Sequence, residues 1–276
     1  MKFLVNDIRG LIIDMDGVLW HGDEPVPGLV DFFNALRLLH LPFVLATNNA
    51  SLTAEQYVLK LAKMGVAVSL EEILTSGMAT ASYLAERYPA EQTRVFVIGN
   101  QGATQPLTEL GFTLTGLYET GPEHGADLVV SGLDRQLSWD KLATAALNIQ
   151  AGAAFFGTNG DVTLPTEQGC VPGNGATLAA LKAATGVSPI IIGKPEPVLY
   201  QQALALLGVP PEQTLAIGDR LDTDILGAVR AGIPSLMVLS GISTLEDIDA
   251  VDYAPNWVMQ DIQELTQALL QYRDSV

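Results

Sequence analysis

Short hydrophobic runs recur along the chain, and each one ends abruptly at a polar residue or a glycine. Continuous apolar runs of this length are typical of strands that are buried on both faces of a parallel sheet. The pattern therefore predicts buried strands at Gly10–Ile13, Pro42–Ala46, Val95–Ile98, Leu128–Val130, Ile190–Ile192, Leu215–Ile217 and Leu236–Leu239.

Helical patterns separate these runs. The segment Thr53–Met64 opens with a capping-box spacing and is followed by Gly65, a typical stop, while Asp224–Ala231 ends before Gly232. Alternating strands and helices predict an α/β fold on a parallel sheet, whose ligands bind outside the carboxyl ends of the strands. The polar residues that the sequence places there are Asp14, Asp16, Thr47, Asn48, Lys194 and Asp219.

The middle of the chain has a different character. Strand and helix patterns continue there, but acidic residues at strand ends become rare, and glycine and proline are frequent between Gly152 and Gly175. We therefore predict a core domain formed by residues 1–80 and 188–276, with a second α/β domain, residues 81–187, inserted into it.

Composition and charge narrow the classes of protein. The chain has 31 acidic and 14 basic residues and a formal net charge of −17, which argues against nucleic acid or an anionic membrane as the main partner. No apolar run reaches the roughly 18 residues of a membrane span. Polar residues interrupt the N-terminal segment, unlike a signal peptide, and the single cysteine, Cys170, excludes an internal disulfide. These observations predict a cytoplasmic protein.

Two carboxylates, Asp14 and Asp16, follow the first predicted strand. Where the chain turns at a strand end, such side chains converge, and paired carboxylates coexist only with a cation or a shared proton. Mg²⁺ binds one or two carboxylates and keeps several waters for a substrate phosphate. For this pattern on its own, a solvated acidic turn is the alternative.

Thr47, Asn48 and Asn49 follow the second predicted strand. A hydroxyl, an amide and the backbone N–H groups beyond the strand together suit an anion-binding nest. Ordinary turn chemistry is the alternative, because Asn and Thr also favour the starts of loops.

Lys194 and Asp219 each follow a later predicted strand. Lys194 places a positive charge where it can neutralise a phosphoryl group, and Asp219 has the position of a metal ligand. Asp224 is placed to orient Lys194 or a metal-bound water. The alternatives are a surface lysine in a turn and an acidic first helical turn stabilised by the helix dipole.

Taken together and in this order, the segments resemble the four motifs of the haloacid dehalogenase superfamily. Details of the match are similar to its subfamily IIA, the NagD and p-nitrophenyl phosphatase group. The segments that carry the resemblance are Asp16-Gly17-Val18-Leu19-Trp20, Thr47-Asn48-Asn49, Gly193-Lys194-Pro195, Gly218–Ile225 and Leu239-Ser240-Gly241. The resemblance implies a Rossmannoid catalytic core, with the inserted domain as a cap of the C2 type.

The resemblance also implies an activity and a role for each residue. It implies a Mg²⁺-dependent phosphatase acting on a small phosphorylated metabolite, with Asp14 as the nucleophile that forms an aspartyl-phosphate. Asp16 would protonate the leaving alcohol and then activate water. The implied Mg²⁺ ligands are Asp14, Asp219 and the backbone carbonyl of Asp16; the implied phosphoryl contacts are Thr47, Asn48, Asn49 and Lys194; Asp224 would have a supporting role.

Other interpretations stay open at this point. A phosphomutase and a non-hydrolytic binding protein fit the same fold, whereas dehalogenation is disfavoured because the dehalogenase branch lacks the second aspartate, here Asp16. Trp20 either touches substrate or packs in the interior. The substrate contacts of the cap would come from loops at Gly157–Asp161, Leu164–Thr166 and Pro172–Gly175, or these loops are ordinary turns. The resemblance also allows a homodimer.

Overall fold

A computed structural model describes residues 7–166 and 168–273 of the protein. Contacts within the chain divide it into two compact units. The core unit contains residues 7–47, 55–74 and 194–273 of the described chain, and the inserted unit contains residues 48–54 and 75–193. The bounds of the two domains that the sequence suggests, 81–187 for the insertion, stay a prediction.

The strands and helices alternate along most of the chain. The strands are β1 Gly10–Ile13, β2 Trp20–His21, β3 Glu24–Pro25, β4 Phe43–Thr47, β5 Ile73–Thr75, β6 Arg94–Ile98, β7 Thr113–Leu114, β8 Leu128–Ser131, β9 Ala154–Gly157, β10 Thr163–Thr166, β11 Gly169–Pro172, β12 Ile190–Ile191, β13 Thr214–Gly218, β14 Ser235–Val238 and β15 Trp257–Met259. The helices are α1 Leu29–Leu38, α2 Ala54–Lys63, α3 Ser76–Ala85, α4 Gln101–Glu109, α5 Trp139–Gln150, α6 Asn174–Thr185, α7 Pro197–Leu207, α8 Leu226–Ala231, α9 Leu245–Ile248 and α10 Ile262–Arg273.

A six-stranded sheet in the order β15-β14-β13-β1-β4-β5 forms the centre of the core unit. Strand β1 lies between β13 and β4 and is parallel to both, with Leu11 opposite Leu215 on one side and Phe43 on the other. Every residue of β1, β4, β13 and β14 is buried. Each fully buried leucine or isoleucine side chain of these strands contributes about 1.5–3 kcal/mol to folding. The hydrophobic runs of the sequence are therefore the centre of this sheet.

The inserted unit has a sheet of its own, with five strands in the order β12-β9-β8-β6-β7. Its neighbouring strands are parallel, and helices α5 and α6 pack on the sheet through Ala145, Ile149, Leu178 and Leu181. A separate antiparallel hairpin, β10–β11, also belongs to this unit. Each unit thus combines parallel strands with helices that connect them along the chain, which confirms the predicted α/β class.

Two local predictions are corrected by the structure. The run Ile190–Ile192 is not a strand buried in the core sheet: β12 is an edge strand of the inserted unit, paired with β9, and Ile190 is 49% exposed. Lys194 therefore follows a strand of the other sheet. The predicted helix Asp224–Ala231 is divided, because Leu221–Ile225 forms a π-helical turn and α8 begins only at Leu226.

Within the described residues, the helices are too short or too polar to cross a membrane.

Candidate active site

The loop after β1 starts with Asp14. The backbone N–H of Asp14 donates to the Ile217 carbonyl of β13 at 2.9 Å, so the residue continues the sheet by one position. The chain then turns at Gly17, which has φ of 83°. A Cβ at Gly17 would lie 2.4 Å from Asp219 Oδ2, so both the backbone angle and the available space require glycine. The turn thus brings the loop after β1 against Asp219.

Lys194 is the buried cation of the core unit's acidic cluster. Its Nζ donates to Asp14 Oδ1 at 2.6 Å, to Asp224 Oδ1 at 2.6 Å and to the Ala46 carbonyl at 3.0 Å. An ammonium group has three N–H donors, and these three acceptors match them. The side chain is only 3% exposed. Lys194 is therefore fixed by the ends of the chain segments that surround it.

Asp224 is the partner that holds Lys194 from the opposite side. Its Oδ1 accepts from Lys194, and its Oδ2 accepts from the Arg220 backbone N–H at 3.1 Å. The Tyr200 hydroxyl donates to the Asp224 carbonyl at 2.9 Å, which fastens the π-helical turn to α7. Both carboxylate oxygens of Asp224 thus have partners within the protein.

Asp219 follows β13 and is 1% exposed. Its Oδ2 accepts from the Ile242 backbone N–H at 2.8 Å, and its carbonyl accepts from the Ser243 N–H at 3.0 Å. A Cβ at Gly241 would lie 1.9 Å from Asp219 Oδ2, so the loop after β14 can approach this closely only with glycine at that position. Asp219 Oδ1 is buried and accepts no hydrogen bond from any described residue.

One carboxylate oxygen from each of Asp14, Asp219 and Asp224 lies within 4.8 Å of the others. Burial raises the pKa of Asp14 well above its usual value; Lys194 opposes this effect, and the two neighbouring carboxylates add to it. Burial and the charge of Asp224 raise the pKa of Asp219 to about 7. Burial disfavours the charge of Lys194, but Asp14 and Asp224 outweigh it and raise the pKa of Lys194 well above its usual value. The cluster thus has more negative charge than its one ammonium neutralises.

Asp16 lies outside this cluster of side chains. Its side chain is exposed, and its Oδ1 accepts a hydrogen bond from the indole Nε1 of Trp20 at 2.8 Å. Trp20 itself is fully buried, so of the two roles that the sequence left open for it, packing is the one found. Asp16 is thus not one of the three carboxylates of the buried cluster, and its predicted convergence with Asp14 stays a prediction.

Thr47 is the last residue of β4 and is 2% exposed. Its hydroxyl hydrogen-bonds with the Tyr57 side chain, and Tyr57 is 1% exposed in α2. Strand β4 is adjacent to β1, so Thr47 ends at the same edge of the sheet as Asp14.

Asn48 and Asn49 belong to the inserted unit. Asn48 Nδ2 lies 3.3 Å from Asp161 Oδ2, and the Asn48 carbonyl accepts from Asn159 Nδ2 at 2.8 Å. Asn49 Oδ1 accepts from the Ser51 hydroxyl at 2.6 Å. The three predicted loops also lie in this unit; the side chains of residues 165 and 166 are outside the described ones. Thus Asp14, Lys194, Asp219 and Asp224 meet in one cluster, whereas Asn48 and Asn49 are bonded within the inserted unit.

Comparison with known proteins identifies the family. The chain matches the model of haloacid dehalogenase-like hydrolases over residues 11–113 and the HAD-hydrolase-like model over residues 191–265. It is 38% identical over 256 residues to the acid sugar phosphatase of Staphylococcus aureus, which covers 93% of this chain and 96% of that protein. The chain belongs to the haloacid dehalogenase-like hydrolases.

Solved structures of the same hydrolase family have closely similar folds. The 4-nitrophenylphosphatase of Thermotoga maritima has a TM-score of 0.88 at 33% identity, with 96% of this chain and 99% of that chain covered. NagD of E. coli has a TM-score of 0.84 at 34% identity, with coverage of 93% and 98%. The glycerol phosphate phosphatase of Mycobacterium tuberculosis, solved in complex with magnesium, has a TM-score of 0.87 at 36% identity, with coverage of 98% and 80%.

These relatives confirm three predictions for this hydrolase. They confirm the resemblance to the NagD and p-nitrophenyl phosphatase subfamily, the core fold of the haloacid dehalogenase type, and the class of enzyme, a phosphatase. The predicted role of each site residue stays a prediction.

The buried carboxylates fit the magnesium ion that the family implies. Asp219 Oδ1 is an unpartnered buried oxygen, a state that costs free energy unless a ligand binds it. Asp14 uses Oδ1 for Lys194, which leaves its second oxygen, whereas both oxygens of Asp224 have partners. Two carboxylates in an oxygen-rich site are the donor set that Mg²⁺ prefers. The structure therefore favours Asp14 and Asp219 as ligands, with Asp224 as the partner of Lys194.

Several residues that shape the cluster carry only weak signals in the sequence. The loop Ser240–Ser243 binds Asp219 through backbone N–H groups, which no side-chain pattern reveals. Ser240 Oγ also donates to the Gly17 carbonyl at 2.8 Å, which ties the two loops together. The Tyr200 hydroxyl lies in α7, a helix whose residues are mostly hydrophobic. In the sequence, this loop is indicated only by Ser240 and Gly241, which follow the hydrophobic run Leu236–Leu239.

Proposed function

We propose that the protein is a Mg²⁺-dependent phosphomonoesterase that works through an aspartyl-phosphate on Asp14, with phosphorylated sugars and polyols as its substrate class. The observation that carries the proposal is the Asp14–Lys194 pair beside the unpartnered oxygen of Asp219. The names of two relatives, an acid sugar phosphatase and a glycerol phosphate phosphatase, support the substrate class.

In the first step, a carboxylate oxygen of Asp14 attacks phosphorus. A new bond forms between that oxygen and phosphorus while the bond from phosphorus to the substrate oxygen breaks. The departing oxygen takes a proton from the carboxylic acid of Asp16, so that an alcohol leaves rather than an alkoxide. The exposed position of Asp16, outside the buried cluster, suits a group that exchanges protons with substrate and water.

In the second step, Asp16 accepts a proton from a water molecule as that water attacks phosphorus. The bond between phosphorus and the Asp14 oxygen breaks, inorganic phosphate leaves, and Asp14 is a carboxylate again. The proton from water replaces the one that Asp16 gave to the leaving alcohol in the first step, so the proton balance closes over the cycle.

Lys194 opposes the effect of burial on Asp14, which favours the ionised form that attacks phosphorus, and its hydrogen bond holds the Asp14 carboxylate in position. Asp14 and Asp224 raise the pKa of Lys194 well above its usual value, which favours the ammonium form. Its bonds to Asp224 and to the Ala46 carbonyl hold the ammonium group in place independently of Asp14. A fixed charge of this kind stabilises negative charge on the phosphoryl oxygens without reorganisation during the reaction.

Mg²⁺ would be held by Asp14, Asp219 and the predicted backbone carbonyl of Asp16, where it supplies neutralising charge and orients the phosphoryl group. Thr47, at the same sheet edge, would contact a phosphoryl oxygen with its hydroxyl. The substrate contacts of Asn48 and Asn49 stay predictions, as do the cytoplasmic location, the homodimer and the absence of nucleic-acid and membrane partners.

We expect Mg²⁺ to stabilise the protein in a manner that depends on Asp219. Saturating Mg²⁺ should raise the midpoint of thermal unfolding by about 5 °C relative to EDTA, since a ligand that binds only the folded state adds its binding free energy. Asp219→Asn should lose most of this increase. Asp222→Asn, in the same motif but with a side chain that is 67% exposed, should keep it. An equal increase in both variants would rule out Asp219 as a ligand.

The stability of the metal-free protein should depend on pH because of the Asp219 carboxyl. The pKa of Asp219 is raised to about 7 in the folded state, whereas an unfolded chain releases this proton near pH 4. Between about pH 4 and 7 the unfolded state binds fewer protons, so stability falls as pH rises, by up to about 4 kcal/mol from this group. Asp219→Asn should remove most of that decline. Urea unfolding in EDTA at pH 5 and pH 7.5 measures it, and an identical decline in both proteins would contradict the assignment.

Phosphate release tests the proposed activity directly. Sugar phosphates, glycerol phosphate and p-nitrophenyl phosphate should each be incubated with the purified protein in Mg²⁺ and in EDTA. We expect release of inorganic phosphate that falls at least about 100-fold in EDTA. Transfer of phosphate to another position of the same sugar, without release, would indicate a phosphomutase. Binding of phosphometabolites without turnover would indicate the non-hydrolytic alternative.

A further inference from the structure

The Asp16 carboxylate is held by a single, buried indole. Trp20 Nε1 donates to Asp16 Oδ1 at 2.8 Å, which is a well-formed hydrogen bond. The donor is fully buried while the acceptor is exposed. A side chain that is otherwise free to rotate at the surface is thus tied to the interior of the core unit at one of its two oxygens.

The indole is itself held on several sides. The Trp20 carbonyl accepts from the Gly17 N–H at 2.9 Å, which closes the turn between Asp16 and Trp20. The Tyr57 ring stacks on the indole with the centroids 6.3 Å apart and the planes 20° apart. Lys60 Nζ lies 4.5 Å from the indole ring centroid and donates to the Gly22 carbonyl at 2.6 Å. These contacts leave the Nε1–H group with one direction in which to donate.

The chemistry of the donor decides which oxygen carries the proton. An indole N–H can only donate, so the Asp16 oxygen that it binds must act as an acceptor. The carbonyl oxygen of a carboxylic acid is a better acceptor than its hydroxyl oxygen, so the bond favours the acid form in which Oδ1 is the carbonyl oxygen and Oδ2 carries the hydrogen. The bond therefore selects both a rotamer of Asp16 and the oxygen that can give a proton away.

From this geometry we infer that Trp20 is a positioning residue for acid catalysis: it holds Asp16 so that Oδ2 delivers the proton to the leaving group. This inference rests on the proposed role of Asp16. Trp20 touches no reacting atom, and its effect passes entirely through the carboxylate. Removing the indole donor should therefore lower kcat/KM more for substrates whose leaving group needs a proton to depart.

Leaving-group dependence provides the test. Phenyl phosphate and p-nitrophenyl phosphate have nearly the same shape, but the nitrophenolate ion departs readily without a proton and the phenolate ion does not. The quantity to compare is kcat/KM, because it covers the steps up to departure of the leaving group and excludes hydrolysis of the aspartyl-phosphate. Trp20→Phe keeps an aromatic ring beside Tyr57 and Lys60 but removes the N–H donor. Trp139→Phe, at a tryptophan that is 75% exposed, is the matched control.

We expect Trp20→Phe to lower kcat/KM for phenyl phosphate at least 10-fold and for p-nitrophenyl phosphate less than about 3-fold, since acid catalysis contributes about 10²–10⁴-fold where a proton is needed. Asp16→Ala should show the same selectivity, and Trp20→Phe should have no further effect in the Asp16→Ala background. Equal losses on both substrates, or no loss on either, would mean that Trp20 only packs. If Asp16→Ala itself shows no selectivity, the proposed role of Asp16 fails, and the inference fails with it.

A spectroscopic measurement keeps the inference testable if Trp20→Phe does not fold. The indole N–H of Trp20 should give a ¹H–¹⁵N signal that exchanges slowly with solvent, since it is buried and hydrogen-bonded. Asp16→Ala changes only an exposed side chain, and it should shift this signal and accelerate its exchange at least 10-fold. A signal that is unaffected by Asp16→Ala would overturn the inference.

Discussion

Replacing Asp14 by asparagine should lower kcat for phosphate release at least about 10⁴-fold, the size of effect seen when a catalytic nucleophile is removed. The amide cannot attack phosphorus, but its oxygen can still accept the hydrogen bond that Lys194 Nζ makes to Asp14 Oδ1 at 2.6 Å. The fold should therefore survive. Steady-state kinetics with p-nitrophenyl phosphate in Mg²⁺ measures the loss.

The stability of the same variant should not fall, although its activity does. Burial and the charges of Asp224 and Asp219 raise the pKa of Asp14, so its ionised form is costly in the metal-free protein. Asp14→Asn should accordingly unfold at the same temperature as wild type or higher in EDTA at pH 7.5. Asp222→Asn, with its exposed side chain, should retain wild-type activity and stability. Substantial turnover by Asp14→Asn would refute the covalent mechanism.

Replacing Lys194 by methionine should damage both stability and activity. The buried ammonium neutralises Asp14 and Asp224, and its removal leaves two carboxylates facing each other in the interior. Breaking a buried pair by removing one partner costs about 3–5 kcal/mol. Loss of the fixed charge should also lower kcat at least about 10²–10³-fold. Urea unfolding at pH 7.5 and steady-state kinetics measure the two effects.

A surface ion pair serves as the control for this variant. Arg230 and Glu196 pair at 2.9 Å with both side chains 42% exposed, and such pairs contribute about 0–1 kcal/mol. Arg230→Met should therefore change stability by less than about 1 kcal/mol and leave kcat unchanged. If Lys194→Met unfolds like Arg230→Met, the buried cluster does not depend on the lysine in the way proposed here.

The parts of the fold and cluster that depend on hydrophobic runs could be predicted from the sequence. The runs before Asp14, Thr47 and Asp219 are adjacent parallel strands, so their carboxyl ends meet as the α/β pattern requires. The approach of Asp14 to Asp219 follows directly from that adjacency, and the family resemblance added Lys194 to the same group.

The other features of the fold and cluster depend on contacts between residues far apart in the sequence, which the local pattern does not predict. Ile190–Ile192 has the composition of a core strand, but which of two sheets a short apolar run joins is set by long-range contacts. Asp16 shows the same limit, because the sequence pattern gave no sign of its hydrogen bond to Trp20. The backbone donors of the loop after β14 have no side-chain signature, and so the binding of Asp219 by Ile242 could not be foreseen.

The chain first passes from the core unit to the inserted unit between Thr47 and Asn48, and it makes its last return between Gly193 and Lys194; between these points it also runs through the core unit from residue 55 to residue 74. For an engineer who exchanges the inserted unit between related enzymes, the first and last cut points therefore fall inside the segments Thr47-Asn48-Asn49 and Gly193-Lys194-Pro195 rather than in spacer sequence. A chimera built at these points would take its lysine and threonine from one parent and its asparagines from the other. Neighbours in sequence would then be inherited from different enzymes.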